Sequence, residues 1–261
     1  MVITTGSDPL PETQQRARDY AAKLGVTYVE RGRYSVAGVS KQAGGCSVLV
    51  VLQQEIRLYQ PDTEMMTFHP SMAFVRAKRL FKGVPDVMLQ AAGIQAGDHV
   101  LDCTAGLGAD SMMFAVGVGE SGKVIAVEDS EELAALLYTG LSTYTSSVPA
   151  FDQALARIEV RHQDHLSLLK RMPDQSVDVV YFDPMFRHPV MESSSLSPLR
   201  SLANDAALSE EAIVEACRIA RRSVVLKEKK GCGEFDRLGF AVQIRPHSNI
   251  VYGVIAVDQK K

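Results

Sequence analysis

The strongest constraint on this chain is the rhythm of its second part. From about residue 83, short β-prone runs alternate with helical patterns. Residues 99–102, 123–127, 157–161, 177–182 and 223–227 read as strands. Between them lie helix signals, clearest over 130–141 and 209–220. Two β runs close the chain, 240–245 and 250–257, joined by Pro246-His-Ser-Asn249. A strand that returns through a helix must lie parallel to its neighbour, whereas a short Pro/Asn link makes a hairpin. The expected fold class is therefore α/β, with a doubly wound, mostly parallel sheet and an antiparallel end.

The first 65 or so residues read as a small α/β unit. Residues 2–5 are β-prone, 11–24 form a helix closed by Gly25, and 46–53 with 56–60 suggest a hairpin about Gln54-Glu55. Residues 61–70 look like connection, after which Ser71 is placed to cap a helix running to Phe81. The expected division is a small N-terminal α/β domain over 1–68, a connecting helix over 69–82 and the main domain over 83–261. Composition allows it: 261 residues, 46 % hydrophobic and 23 % charged, exclude collagen-like, disordered and low-complexity chains.

No apolar run approaches the roughly 18 residues of a spanning helix. The start, Met1-Val-Ile-Thr-Thr-Gly-Ser-Asp8, lacks the basic and apolar regions of a secretory signal. Cys46, Cys103, Cys217 and Cys232 are scattered, with no C-x-x-C and no paired His spacing. That favours free thiols in a reducing compartment over a structural zinc site. The expectation is a cytoplasmic protein with no metal and no membrane partner.

Net charge is −3, which offers no bulk argument for a nucleic-acid partner. Its distribution is uneven: residues 1–81 carry 10 basic and 7 acidic side chains, the remainder 18 and 24. Arg76, Lys78, Arg79 and Lys82 cluster near the join. They form either a solvated helix face or the phosphate-contacting patch that RNA affinity would require.

Leu101-Asp102-Cys103-Thr104-Ala105-Gly106-Leu107-Gly108 follows the first strand of the main sheet. Glycines in such a turn let the backbone approach a ligand at the carboxyl ends of the strands. A dinucleotide fingerprint would need Gly where Thr104 stands and again at Ala109 or Asp110. An acidic Asp102 also suits a cationic ligand better than a pyrophosphate. S-adenosylmethionine, with its ammonium and sulfonium, fits that loop. Glu128, 20 residues beyond Gly108, ends the next strand, where a carboxylate can accept both ribose hydroxyls. Asp164 follows the third strand, at a place suited to an adenine amino group. Any one of these carboxylates alone could be a helix cap; it is their joint placement that points to a cofactor.

The fourth strand runs into Asp183-Pro184-Met185-Phe186. An exocyclic amine conjugated to a ring is a poor nucleophile, because its lone pair is delocalised. The Asp183 carboxylate and Pro184 carbonyl can accept its N–H bonds and turn that lone pair toward a methyl donor. Phe186 could stack on the base, worth about 1–3 kcal/mol. The plain alternative is a strand end with a proline turn and a core phenylalanine.

Taken together, Asp102-Cys-Thr-Ala-Gly-Leu-Gly-Ala-Asp110, Glu128, Leu136-Leu137, Gly140-Leu141 and Asp183-Pro-Met-Phe-Arg-His188 resemble the bacterial small-subunit ribosomal RNA guanine-N2 methyltransferases. The resemblance covers roughly residues 83–230, and the N-terminal unit is similar in layout. It implies a Rossmann-like class I methyltransferase fold with a seven-stranded sheet. It also implies methyl transfer from S-adenosylmethionine, with S-adenosylhomocysteine as product and ribosomal RNA or the small subunit as partner. Ala109, Asp110, Glu128, Asp129, Asp164, His165 and Asp183 would then contact the cofactor or border its pocket, beside Asp102, Thr104, Gly106 and Gly108 of the loop read above. His69, His188 and Lys227 join the basic cluster as substrate-side candidates. The chain departs from the family pattern at Ala109, after Lys227, where Glu228-Lys229 stand, and over Val190-Met-Glu-Ser-Ser-Ser-Leu-Ser197. Two other readings use the same core: a small-molecule or protein amine methyltransferase, and a non-catalytic cofactor-binding RNA or assembly protein.

Overall fold

The computed structural model describes residues 1–184, 207–243 and 248–257. The first unit contains β1 (Val2–Thr5), α1 (Pro11–Leu24), β2 (Thr27–Tyr28), α2 (Val36–Gln42), β3 (Val48–Val51), β4 (Ile56–Tyr59) and β5 (Met66–Thr67). Its strands form one sheet in the order β2-β1-β3-β4-β5. β1 is parallel to β2 and β3, and the rest is an antiparallel meander. α1 opens on Pro11, whose fixed φ suits a first helical turn, and closes on Gly25 at φ 70°. The sequence reading found β1, α1 and the β3–β4 hairpin. It missed β2, α2 and β5, the last lying in a stretch expected to be connection. A two-residue strand is too short to leave a periodic signal.

Next comes α3 (Met72–Phe81), the helix expected to join the units. Ser71 does not cap it with its hydroxyl as the sequence suggested. Its φ is 48°, no side-chain cap bond forms, and its backbone N–H donates to His69 Nδ1 at 2.8 Å. The short helix α4 (Val87–Ala91) is capped by the Asp86 carboxylate, which accepts from Met88 and Leu89.

The second sheet is built from β6 (His99–Asp102), α5 (Ala109–Gly117), β7 (Lys123–Glu128), α6 (Glu131–Thr143), α7 (Pro149–Leu155), β8 (Ile158–His162), α8 (His165–Leu169), β9 (Val177–Phe182), α9 (Glu210–Ile219), β10 (Ala220–Lys229), α10 (Glu234–Leu238), β11 (Ala241–Gln243) and β12 (Ile250–Ala256). The strand order is β11-β12-β10-β9-β6-β7-β8. Five strands are parallel, and β12 runs antiparallel to both β10 and β11. The seven-stranded, doubly wound sheet is thus the one expected. Nearly every residue of β6, β7 and β9 is buried, as strands covered by helices on both faces require. The chain leaves β6 outward through β7 to β8, then returns to the other side of β6 as β9. That reversal opens a crevice at the carboxyl ends of β6 and β9, where open α/β sheets bind ligands.

One hydrophobic cluster joins the two units, including Ile3, Leu49 and Leu58 from the first sheet, Tyr181 from the second, and Met112 and Leu136 from α5 and α6 that cover it. Tyr20 and Thr143 share a hydrogen bond of 3.0 Å across the same contact. Phe68 lies so close to α6 that a Cβ on Gly140 would stand 2.1 Å from its Cγ. This sets up a competition. Gly140→Ala gains about 0.5–1 kcal/mol of helix propensity, but driving a methyl into a buried ring costs about 1–3 kcal/mol. Overpacking wins, so thermal unfolding of Gly140→Ala should show a Tm several degrees lower, at roughly 2–4 °C per kcal/mol.

Candidate active site

The loop after β6 is held by donors that converge on buried acceptors. Asp102 is 1 % exposed. Ser111 Oγ donates to its Oδ2, and the Thr104 N–H donates to Oδ1 at 3.2 Å. Burial pushes its pKa up to about 7; Ser111 opposes this, while the charges of Asp110 and Asp183 add to it. Asp102 therefore shapes the loop with the oxygens that the sequence reading aimed at a cationic ligand. The loop backbone is anchored by Cys103 N–H to the Tyr181 carbonyl and Ala105 N–H to the Val127 carbonyl, both 2.9 Å.

Gly106 and Gly108 have φ of 53° and 75°, in the left-handed region. A Cβ on Gly108 would come within 2.6 Å of Leu137 Cδ1, so packing against α6 demands glycine there. A Cβ on Gly106 would meet nothing within 4 Å, so the space beside that backbone is open. Glu128 closes the loop from β7: its Oε2 accepts from Gly106 N–H at 2.8 Å and its Oε1 from Ser130 N–H at 2.9 Å. Burial raises its pKa against those two amides. The neighbouring Asp129 is exposed, as is Ala109 at the first turn of α5.

Around the end of β8, Asp164 caps α8 by accepting from Ser167 N–H at 2.8 Å. Burial tends to raise its pKa, but the Ser167 hydrogen bonds outweigh that and lower it. His165 packs edge-on against Phe182 with centroids 5.8 Å apart, and burial lowers its pKa. Between β8 and Asp164, the buried Gln163 Nε2 has no hydrogen-bond partner among the described residues.

The other half of the crevice lies on the adjacent strand, β9. The backbone N–H of Asp183 donates to Thr104 Oγ1 at 2.6 Å, so the loop after β9 is stitched to the loop after β6. Lys227 Nζ donates to Asp183 Oδ2 at 2.6 Å and to Asp110 Oδ2 at 2.8 Å. Asp110 also accepts from Tyr181 Oη at 2.7 Å and, through Oδ1, from Arg76 Nη1 at 2.6 Å. Arg76 in turn holds Asp86 through two bonds of 2.9 Å. The result is a ladder of alternating charge, Asp86–Arg76–Asp110–Lys227–Asp183. Burial works against the Asp110 carboxylate, yet Lys227 and Arg76 hold its pKa well below the usual range. Asp183 stands at the end of the ladder. Burial pushes its pKa up to about 6, Lys227 opposing and Asp110 adding to the rise. Burial would lower the Lys227 pKa, but the two carboxylates raise it further.

Several assignments change. Arg76 is turned inward to two aspartates and is not free for phosphate. Ala73 and Ala77 on α3 are fully buried, and residue 76 borders that stripe, whereas 78, 79 and 82 lie off it. Lys78, Arg79 and Lys82 are exposed, with Lys78 Nζ 4.5 Å from the Phe74 ring centroid. Lys227, expected on the substrate side, joins two carboxylates. His69 is exposed and lies edge-on to Tyr144 at 5.9 Å. Pro184 follows Asp183 at the crevice, while Phe186 and His188 lie outside the described residues. The sequence reading overlooked Tyr181, Ser111 and Asp86. A tyrosine inside a strand buried on both faces needs a partner for its hydroxyl, which was the available clue to Tyr181.

Comparison with known proteins agrees with this geometry. Residues 36–245 match the family described as "Putative SAM-dependent methyltransferase". The chain belongs to this family. It is 40 % identical over 254 residues to the uncharacterized protein YpiP of Bacillus subtilis, covering 97 % of this chain and 98 % of that one. It is 32 % identical over 226 residues to the ribosomal RNA small subunit methyltransferase J of Cellvibrio japonicus, covering 81 % and 79 %. A SAM-dependent methyltransferase from Neisseria gonorrhoeae shares the fold, with a TM-score of 0.61 at 18 % identity, covering 98 % of this chain and 96 % of that one.

The cofactor of this methyltransferase is S-adenosylmethionine, which supplies an electrophilic methyl group on a sulfonium. The residues present fit it: Gly106 has open space beside it, the Glu128 carboxylate lies 2.8 Å from the Gly106 N–H, and the buried Gln163 Nε2 is a donor with no partner among the described residues. We expect Glu128→Ala to weaken S-adenosylmethionine binding by about 1–3 kcal/mol, since both a ribose acceptor and the Gly106 tether are lost. Calorimetric affinity within twofold of the parent would remove Glu128 from this role.

Proposed function

We propose that this methyltransferase acts on an exocyclic ring amine, the N2 of a guanine in small-subunit ribosomal RNA. The observation that carries the reading is the Asp183-Pro184 pair, fixed at the carboxyl end of β9 by Thr104 and Lys227 within the crevice. A carboxylate and a carbonyl next to each other can accept the two N–H bonds of one amino group. That directs the nitrogen lone pair away from its ring toward the methyl carbon. As nitrogen gains positive charge, the preorganised carboxylate stabilises it without solvent reorganisation. The N–C bond forms as the C–S bond breaks, and the surplus proton then leaves the nitrogen. The named ribosomal RNA methyltransferase among the relatives supports the choice of substrate, as do the basic side chains exposed on α3. We place the work in the cytoplasm.

The decisive experiment compares modified nucleosides of small-subunit ribosomal RNA, by mass spectrometry, from cells with and without the gene. Loss of a single N2-methylguanosine is the expected outcome. An unchanged nucleoside profile would sink the RNA assignment and favour a small-molecule or protein amine. Asp183→Ala should cut the single-turnover rate by about 10²-fold or more, as removal of a preorganised charge-stabilising group does, with S-adenosylmethionine affinity largely kept.

Because Asp183 must be ionised to accept the amine, and burial lifts it to about 6, the rate should fall about tenfold per pH unit below that point and level off above it. A flat profile from about pH 5 upward would contradict this role for Asp183. On the RNA side, neutralising Lys78, Arg79 and Lys82 together should weaken RNA binding and flatten its salt dependence by about three. Arg76 is left out of that set because its charge is spent internally. An unchanged salt slope would mark the three as a solvated helix face.

A further inference from the structure

We propose that Lys227 is the positioning residue of the transfer site: its ammonium, anchored on Asp110, holds Asp183 by Oδ2 so that Oδ1 receives the substrate N–H. The inference rests on the amine-methylation reading above and assigns how its carboxylate is aimed. Leu226 of β10 pairs with Phe182 of β9 in parallel register, so Lys227 stands level with Asp183 across the two strands. Its Nζ lies 2.6 Å from Asp183 Oδ2 and 2.8 Å from Asp110 Oδ2. An ammonium has three donors, and two of them are committed here.

Asp110 is a firm anchor because it cannot follow the lysine. Arg76 holds one of its oxygens at 2.6 Å and Tyr181 the other at 2.7 Å, and Arg76 is itself fixed to Asp86. The chain of contacts therefore ends on α3 and the cap of α4, outside the crevice. The groups that face Asp183 are Lys227 and Glu228 from β10, Asp110 from α5, Asp102 from β6, Tyr181 from β9 and Tyr252 from β12. Among these described residues Lys227 is the one cation. Without it, Asp183 would face carboxylates and phenols, which favour its protonated form and leave its rotamer unset.

Lys227 and Asp110 thus pull Asp183 in opposite directions, and a purely structural role would not. Lys227→Met removes the cation, so the acid limb of the rate profile should move up by about one pH unit or more. Asp110→Asn removes a repelling charge and leaves Lys227 to Asp183 alone, so the limb should move down. Lys227→Arg keeps the charge and should restore much of what Lys227→Met loses.

The test is a single-turnover methylation series from about pH 5 to 9, using unmethylated small-subunit ribosomal RNA transcript and S-adenosylmethionine. It is paired with a carbon-13 NMR titration of the Asp183 carboxyl, assigned by Asp183→Asn. At about pH 5, below the parent's own limb, Lys227→Met should lose roughly tenfold in rate and regain it at higher pH. Its S-adenosylmethionine affinity should stay near the parent's. The NMR midpoint should rise in Lys227→Met and fall in Asp110→Asn. An Asp183 midpoint unmoved by Lys227→Met, or moved the same way by both variants, overturns the proposal. Should Lys227→Met fail to fold, the Asp110→Asn titration decides, and no downward movement there overturns it equally. If the parent enzyme leaves the transcript unmethylated, the ribosomal RNA reading fails, while the NMR titration still judges Lys227 on its own.

Discussion

The ladder of charge from Asp86 to Asp183, half-buried along its length and buried at Asp110, is the interaction on which the site depends. Moving an ion out of water costs several kcal/mol even after relaxation. A lone carboxylate at Asp110, 7 % exposed, would therefore take up a proton rather than stay charged. The alternation of sign changes that balance, because every inner member has an opposite charge on each side within hydrogen-bond distance. The same arithmetic makes the ladder brittle. Taking away one member leaves an uncompensated buried charge, a loss of about 3–5 kcal/mol in comparable pairs. Such a chain is weak evidence for stability and stronger evidence for a fixed geometry. Here the fixed object is the carboxylate of Asp183.

Topology explains why so few residues suffice. Because β6 and β9 are sequence-distant but adjacent in the sheet, the loops that follow them meet at one edge. Register puts Asp102 opposite Tyr181, so the loops emerge at the same height. A single bond from Asp183 N–H to Thr104 Oγ1 then couples the cofactor loop to the chemical one. Thr104, read from sequence as the residue that spoils a dinucleotide fingerprint, is what makes the coupling possible. A glycine there would loosen the connection between methyl donor and acceptor.

Much of this was legible in the sequence because it rests on local patterns. β6, β9 and the end of β7 announce themselves as apolar runs stopped by a carboxylate, and the glycines after Asp102 mark a turn where the backbone goes left-handed. What sequence could not reveal was partnership. Arg76 sits among Lys78, Arg79 and Lys82 and shares their charge. Only the packing of Ala73 and Ala77 turns it inward, toward an aspartate ten residues on and another 34 residues on. Lys227 and Asp110 are 117 residues apart, and no spacing rule connects them. The N-terminal unit was half legible: its long helix and hairpin carry periodicity, while β2 and β5 exist only because a neighbouring strand offers them hydrogen bonds.

The ladder has an odd number of members and carboxylates at both ends, so it carries one net negative charge into the crevice. That surplus suits the chemistry. A sulfonium donor brings positive charge to the site, and the amine nitrogen of the proposed substrate would gain more of it as the new bond forms. A ladder ending on lysine would repel both. A neutral asparagine at position 183 could still accept an N–H through its amide oxygen, but would lack the charge that meets the growing cation. The cost of the surplus is the raised pKa of the terminal carboxylate, since buried excess charge is least stable where the ladder ends. Lys227 limits that rise and also occupies one of the two oxygens. The site thus holds a carboxylate that is ionised near neutrality, oriented, and half committed before a substrate arrives.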